Sequence, residues 1–363
     1  MQRSQFNPNL LLAFLVLLPS AARAESDTLQ YPPPAEVKVA FLQLLDRAKV
    51  AADLKELEPT RSDRGLRYEH LDIATEESAP SRFERMPMLV VRPEKPTGKL
   101  PAVIVLHGTG GNKESMQPLL VDLAHRGYLG VAIDARYHGE RSGGAEGAAA
   151  YNQAITNAWR AKSTEKQEHP FYFDTCWDLW RLVDYLTARD DVDPERIGMV
   201  GFSMGGIETW LAAAVDERVR VAVPVIAVQS FRWSLEHDAW HARARTIGAA
   251  HNAARADLGE LEVNERVCRA LWSKVVPGIL DQFDGPSMIR LFAGRPLLIL
   301  NGELDPNCPL AGAQLAFAAA REAFSAAGAP DLLRIEVAKG VGHAVTPGER
   351  KLAIGWFDKW LKR

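Results

Sequence analysis

Hydrophobic positions along this chain follow two alternating periods. "EVKVAFLQLLDRAKV" (36–50) repeats apolar residues at helical spacing. "LRYEHLDI" (66–73) and "MPMLVVR" (86–92) alternate or run apolar, as strands do. After the turn "RPEKPTGKLP", short apolar runs alternate with longer amphipathic ones. The runs "AVIVLHG" (102–108), "YLGVAID" (128–134), "RIGMVGF" (196–202), "VRVAVPVIAV" (219–228), "PLLILNG" (296–302) and "LLRIEVA" (332–338) predict strands. Between them, "ESMQPLLVDLAHRG", "DTCWDLWRLVDYLTAR", "MGGIETWLAAAV" and "LAGAQLAFAAAREAFSAAG" predict helices, and "ERKLAIGWFDKWLKR" a closing one. Strands that are apolar on both faces and alternate with helices predict an α/β fold, with a mostly parallel central sheet covered by helices on both sides.

Two stretches break the rhythm. Residues 136–173 begin polar and glycine-rich, and residues 229–292 separate two core strands with a helical pattern. Both leave carboxyl ends of strands, where ligands bind in open parallel sheets. They are therefore expected as rim insertions, the second as a helical cap that either lines the substrate site or packs the rim.

The composition is that of a globular protein: 363 residues, 47% hydrophobic and 25% charged, with 43 Lys and Arg against 46 Asp and Glu. No basic run suggests a nucleic-acid partner. The first 24 residues read as a secretory signal, with Arg3, the apolar run "LLLAFLVLLP" and Ala22-Arg23-Ala24 as cleavage site. The run is too short for a bilayer-spanning helix, so no stable membrane span is expected after cleavage and the location is expected to be periplasmic or secreted. Residues 25–84 are then an N-terminal helix and lead-in strand, and 85–363 the catalytic domain. Three cysteines in an oxidising compartment leave at least one free thiol or an intermolecular bridge, with one internal disulfide possible.

The candidate chemistry starts at "GFSMGG". Gly201-Phe202-Ser203-Met204-Gly205 lies between a strand and a helix, the setting of a nucleophile elbow. The flanking glycines allow a tight turn that lifts Ser203 above the strand end, at a helix N-terminus. A serine hydroxyl needs a base. Among nine histidines, His343 in "GVGHAVTP" follows the last predicted strand, and Asp305 in "LDPNCP" follows the preceding one. That gives the chain order serine, acid, histidine, with Glu303 and Asp331 as fallback acids. "HGTGGNK" follows the strand at Ala102, so the amides of Thr109 and Met204 are the expected oxyanion donors and His107 is expected to order the loop.

Taken together, HGTGG, GFSMGG, LDPNCP and GVGH, with "DARYHGER" (134–141), resemble the α/β-hydrolase superfamily over about residues 85–363. The closest likeness is to its dienelactone-hydrolase-like and acetyl-xylan-esterase-like branches. The resemblance implies Ser203, Asp305 and His343 as triad. True dienelactone hydrolases carry cysteine at the nucleophile, and the acetyl xylan esterases of the relevant family carry glutamine after the serine. Ser203 and Met204 stand at those places, so neither substrate is carried over.

The expected activity is hydrolysis of a small-molecule or carbohydrate-linked carboxylic ester through an acyl-enzyme, without a cofactor. A peptidase or amidase with the same triad, and a non-catalytic binder on the same fold, are the alternatives. In the cap, Trp233, His237, Trp240 and His241 are expected on one helical face, where, with Tyr137, they line an acyl or aryl pocket or pack the cap down. "HDAWH" approximates a zinc-protease H-E-x-x-H, with Glu260 or Glu262 as a third ligand, but carries aspartate where that chemistry uses glutamate; no metal is expected.

Overall fold

A computed structural model describes residues 31–162 and 168–362. The expected signal segment lies outside the described residues.

Among the described residues, nine strands form one sheet: β1 (Lys55–Asp63), β2 (Leu66–Ala79), β3 (Arg82–Pro93), β4 (Leu100–Leu106), β5 (Leu129–Ile133), β6 (Val192–Phe202), β7 (Val219–Val225), β8 (Leu297–Gly302) and β9 (Leu333–Ala338). Their spatial order is β1-β2-β3-β5-β4-β6-β7-β8-β9. The first four neighbours pair antiparallel, and from β5 to β9 every pairing is parallel. Continuous apolar runs become strands buried on both faces: every residue of β4, β5 and β8 is buried.

The helices are α1 (Pro34–Leu44), α2 (Gln117–His125), α3 (Ala149–Arg160), α4 (Phe173–Ala188), α5 (Met204–Val215), α6 (Phe231–Glu236), α7 (His241–Arg245), α8 (Gly248–Asp257), α9 (Glu265–Val275), α10 (Gly285–Met288), α11 (Leu310–Ala326) and α12 (Pro347–Leu361). Apolar side chains of α2 and α12 pack on one face of the sheet; α1, α4, α5, α11 and the cap helices pack on the other. The chain steps from β4 outward to β5, then crosses back to β6 on the other side of β4. That reversal opens a crevice above the carboxyl ends of β4 and β6, where ligands bind in such sheets. No described helix is long and apolar enough to cross a membrane.

Several boundaries differ from the sequence reading. The first helix stops at Leu44 instead of running to residue 50. Strand β1 was not expected: its nine residues carry no apolar alternation because almost all face water, and pairing with β2 alone makes it a strand. The boundary expected near residue 85 falls inside β3, and residues 31–363 form one compact unit, because β2 and β3 pair along their length. The first insertion contains α3, an amphipathic helix that buries Tyr151 and Ile155. The second is helical, from α6 through α10. Its expected helix through "HDAWH" is interrupted: α6 ends at Glu236, Asp238 takes φ +54°, and α7 begins at His241. A left-handed residue ends a regular helix, so His237 and His241 do not share a helical face. All three cysteines are buried free thiols.

Candidate active site

The elbow is built by close approach. Ser203 sits between β6 and α5 at φ +53°, a region that costs a non-glycine residue about 1–3 kcal/mol. A Cβ at Gly201 would lie 2.1 Å from the Gly205 carbonyl oxygen, and one at Gly205 would lie 2.7 Å from that of His107. The G-x-S-x-G spacing is therefore steric: any side chain at either place would push the turn apart. The Ser203 amide donates to Val225 O at 3.0 Å, which ties the strained turn to β7.

Ser203, His343 and Asp305 come together from three loops. His343 Nδ1 donates to Asp305 Oδ2 at 2.7 Å, so its Nε2 is left to accept from Ser203 Oγ at 2.8 Å. Asp305 is buried, and its Oδ1 accepts from the amides of Asn307 (2.8 Å) and Cys308 (3.1 Å). One carboxylate oxygen thus shapes the turn after β8 while the other faces the imidazole. Of the fallback acids, Glu303 accepts from the Gly340 amide, and Asp331 is exposed in a turn ahead of β9.

The loop after β4 lies beside the serine: a Cβ at Gly108 would be 3.6 Å from Ser203 Cβ. Neither the Thr109 nor the Met204 amide has a backbone partner among the described residues, and Met204 is the first residue of α5, where N–H groups are left over by the helix. His107 is buried under this loop. Its Nε2 accepts from the Ala135 amide at 3.2 Å, so Nδ1 carries the proton and donates to Gly108 O at 2.8 Å. Burial holds its pKa below the ordinary histidine value, which keeps the ring neutral and suited to bridging two backbone groups.

Lys113 and Asp134 reinforce the same loop. Both side chains are fully buried; Lys113 Nζ donates to Asp134 Oδ2 at 2.9 Å and also reaches Glu140, while Asp134 Oδ1 accepts from the Lys113 amide. Lys113→Met is expected to cost about 3 kcal/mol or more in urea unfolding, because it strands a buried carboxylate. A loss under about 1 kcal/mol would mean that water reaches Asp134. Sequence reasoning left this pair out, although Lys113 ends "HGTGGNK" and Asp134 opens "DARYHGER".

Arg243 was missed as well, and no local pattern signals it. It is a buried cap residue on α7; its Nη2 donates to Asn307 O at 3.0 Å and to Cys308 Sγ at 3.4 Å. The Cys308 thiol donates to the carbonyl of Ile226, a β-branched residue held at φ +48°. Burial pushes that thiol up to about 12, so it stays neutral. The cap thereby grips the turn that carries Asp305.

The expected pocket residues are placed as follows. Trp233 is half-buried, stacks on exposed His237 with ring centroids 4.3 Å apart, and lies against Gly312 of α11. Trp240 is buried and stacks on His241 at 3.9 Å. Tyr137 donates from its hydroxyl to Glu168 Oε2 at 2.9 Å. Among the described residues, no group of three or more His, Cys, Asp or Glu is gathered as metal ligands would be.

Comparison with known proteins gives the same architecture. Residues 86–248 match the model of the dienelactone hydrolase family. The Bacillus subtilis (strain 168) protein named "Putative hydrolase YtaP" is 26% identical over 331 residues, covering 88% of this chain and 95% of that protein. Acetyl xylan esterase 1 from Thermoanaerobacterium sp. JW/SL YS485 superposes with a TM-score of 0.64 at 19% identity, over 92% of this chain and 96% of that one. An acetyl xylan esterase from Paenibacillus sp. R4 gives 0.59 at 18% identity, over 92% and 96%. With a serine elbow at the crevice of a mostly parallel sheet, and the dienelactone hydrolase match spanning strands that build it, the chain has the α/β-hydrolase fold.

Proposed function

We propose that this chain is a serine hydrolase that cleaves carboxylic esters through an acyl-enzyme, with Ser203, His343 and Asp305 as its triad, and that it works in the periplasm or outside the cell. The observation that carries the reading is the unbroken line from Ser203 Oγ through His343 to buried Asp305, with links of 2.8 and 2.7 Å, beside a glycine loop. The dienelactone hydrolase match and the acetyl xylan esterase neighbours support an ester as substrate.

Ser203 Oγ attacks the ester carbonyl as His343 Nε2 takes its proton. Asp305 stabilises the imidazolium and holds its tautomer. The carbonyl oxygen becomes an oxyanion that the amides of Thr109 and Met204 would receive, with the α5 N-terminus adding favourable potential. His343 then protonates the leaving alcohol, and a water repeats the cycle to release the acid. From the two insertions, Trp233, His237, Trp240 and Tyr137 are the proposed acyl-side wall.

A serine-reactive fluorophosphonate is the direct test. Stoichiometric labelling at Ser203, with parallel loss of p-nitrophenyl acetate hydrolysis, is the expected result. Activity untouched by the phosphonate but abolished by a chelator would sink the reading. In a matched panel, aminoacyl amides should turn over at least about a hundredfold more slowly than esters, and the reverse order would make this a peptidase of the same fold.

A further inference from the structure

A largely apolar cavity of about 380 Å³ opens on the α2 and α12 side of the sheet, lined in part by chain neighbours of Ser203 and His343. It lies between the N-terminal turn of α2 and the start of α12, and Phe202 and Val345 are in its lining. Phe202 immediately precedes the nucleophile; Val345 follows His343 by two residues. Met116 and Leu119 form the opposite wall, and neither the triad geometry nor the cap accounts for this space.

We propose that this cavity receives the alcohol half of the ester and selects uncharged, apolar, ring-sized alcohols. The inference rests on the hydrolase reading above and adds the substrate class. The stereochemistry of the reaction places the alcohol. His343 must hand its proton to the leaving oxygen, so the group on that oxygen extends along the segment that carries His343. Val345 belongs to that segment, while the cap stands over the other face of the sheet. The lining chooses the chemistry. Met116, Pro118, Leu119, Phe202, Val345 and Pro347 make up most of the lining, and the hydroxyls of Ser115 and Thr346 already donate to Asn112 O and Glu349 Oε2, so a sugar would find few free partners for its own hydroxyls, which are costly to bury unpaired. A phenyl or cyclohexyl ring loses nothing there and leaves water. Arg350 supplies the one charge in the lining, which disfavours a cationic alcohol.

The test uses two ester series on the purified full chain. One keeps the acetyl group and varies the alcohol from methyl to cyclohexylmethyl and benzyl, whose alkoxide basicities are close. The other keeps methanol and lengthens the acyl group from acetyl to octanoyl. Met116→Trp fills the cavity from one side and Val345→Trp from the other, so the result does not depend on a single variant folding. Each is expected to lower the benzyl-to-methyl ratio of kcat/KM by about tenfold or more, and to leave the octanoyl-to-acetyl ratio within about threefold. Direct binding is read by saturation-transfer NMR with benzyl alcohol: transfer is expected in the unmodified chain and in Ser203→Ala, and its loss in Met116→Trp. Unchanged alcohol ratios in both folded variants, a fall confined to the acyl series, or transfer that persists in Met116→Trp overturns the assignment. Benzyl alcohol bound in this cavity by a chain that turns over no ester would uphold the pocket and remove the hydrolase reading, so the two ideas fail separately.

Discussion

Ser203→Ala is expected to lower kcat for p-nitrophenyl acetate by about 10⁴-fold or more, with little change in KM and a folded, thermally cooperative protein. The size follows from the geometry. Ser203 Oγ is the nucleophilic atom within hydrogen-bond reach of His343 Nε2, and alanine leaves only water for the base to activate. The fold should tolerate the change. Alanine at φ +53° meets the same backbone strain that serine already bears, and the Ser203 amide keeps its bond to Val225. Circular dichroism and a melting curve separate lost chemistry from lost structure. Turnover within tenfold of the unmodified chain would remove Ser203 from the mechanism.

Asp305→Asn should cost nearly as much, about 10³- to 10⁴-fold in kcat, for a subtler reason. The amides of Asn307 and Cys308 both donate to Asp305 Oδ1, so an asparagine there keeps its carbonyl oxygen on that side and turns its NH₂ toward His343. An NH₂ cannot accept from Nδ1–H. The imidazole must then carry its proton on Nε2, which can no longer take one from Ser203. The turn keeps its hydrogen bonds, so the melting temperature should fall by only a few degrees. Stopped-flow acylation with p-nitrophenyl acetate reads the step directly: the burst should slow as much as steady turnover does. A burst within tenfold of normal would point to another acid, and Glu303→Gln in the same background would show whether that acid is Glu303.

How much of this could be read beforehand varies from element to element. The strands β4 to β8 were legible because burial on both faces writes an apolar run; β9, a half-exposed edge strand, was legible from its alternation of apolar and charged residues. Strand β1 was not, since its residues are exposed and only its neighbour defines it. The elbow was legible because the turn excludes side chains at two fixed spacings from the serine, a local demand that leaves a local pattern. The positions of Asp305 and His343 were legible as loop residues after consecutive strands. The continuous helix expected through "HDAWH" was not what formed: its spacing fits a helix, but the left-handed Asp238 cuts it.

The supports around the triad lie further from the letters. Arg243 is about 60 residues from the turn it holds, and Lys113 is 21 residues from Asp134, so neither bond leaves a periodicity. The cavity between α2 and α12 is more remote still, since its walls come from segments more than 200 residues apart.

By itself, then, the sequence determined what local physics can encode: which runs are buried on both faces, where the backbone must turn too tightly for a side chain, and which residue types able to attack, accept a proton and bear a charge stand at strand ends in the order serine, acid, histidine. The tertiary structure decided what depends on distance between remote segments. It set the 2.8 and 2.7 Å links through His343, the buried contacts from Arg243 and Lys113 that hold the loops around them, and the apolar space beside Phe202 and Val345. Hydrogen bonds and steric fit act over a few ångströms, and only the folded sheet brings residues 203, 305 and 343 within that range.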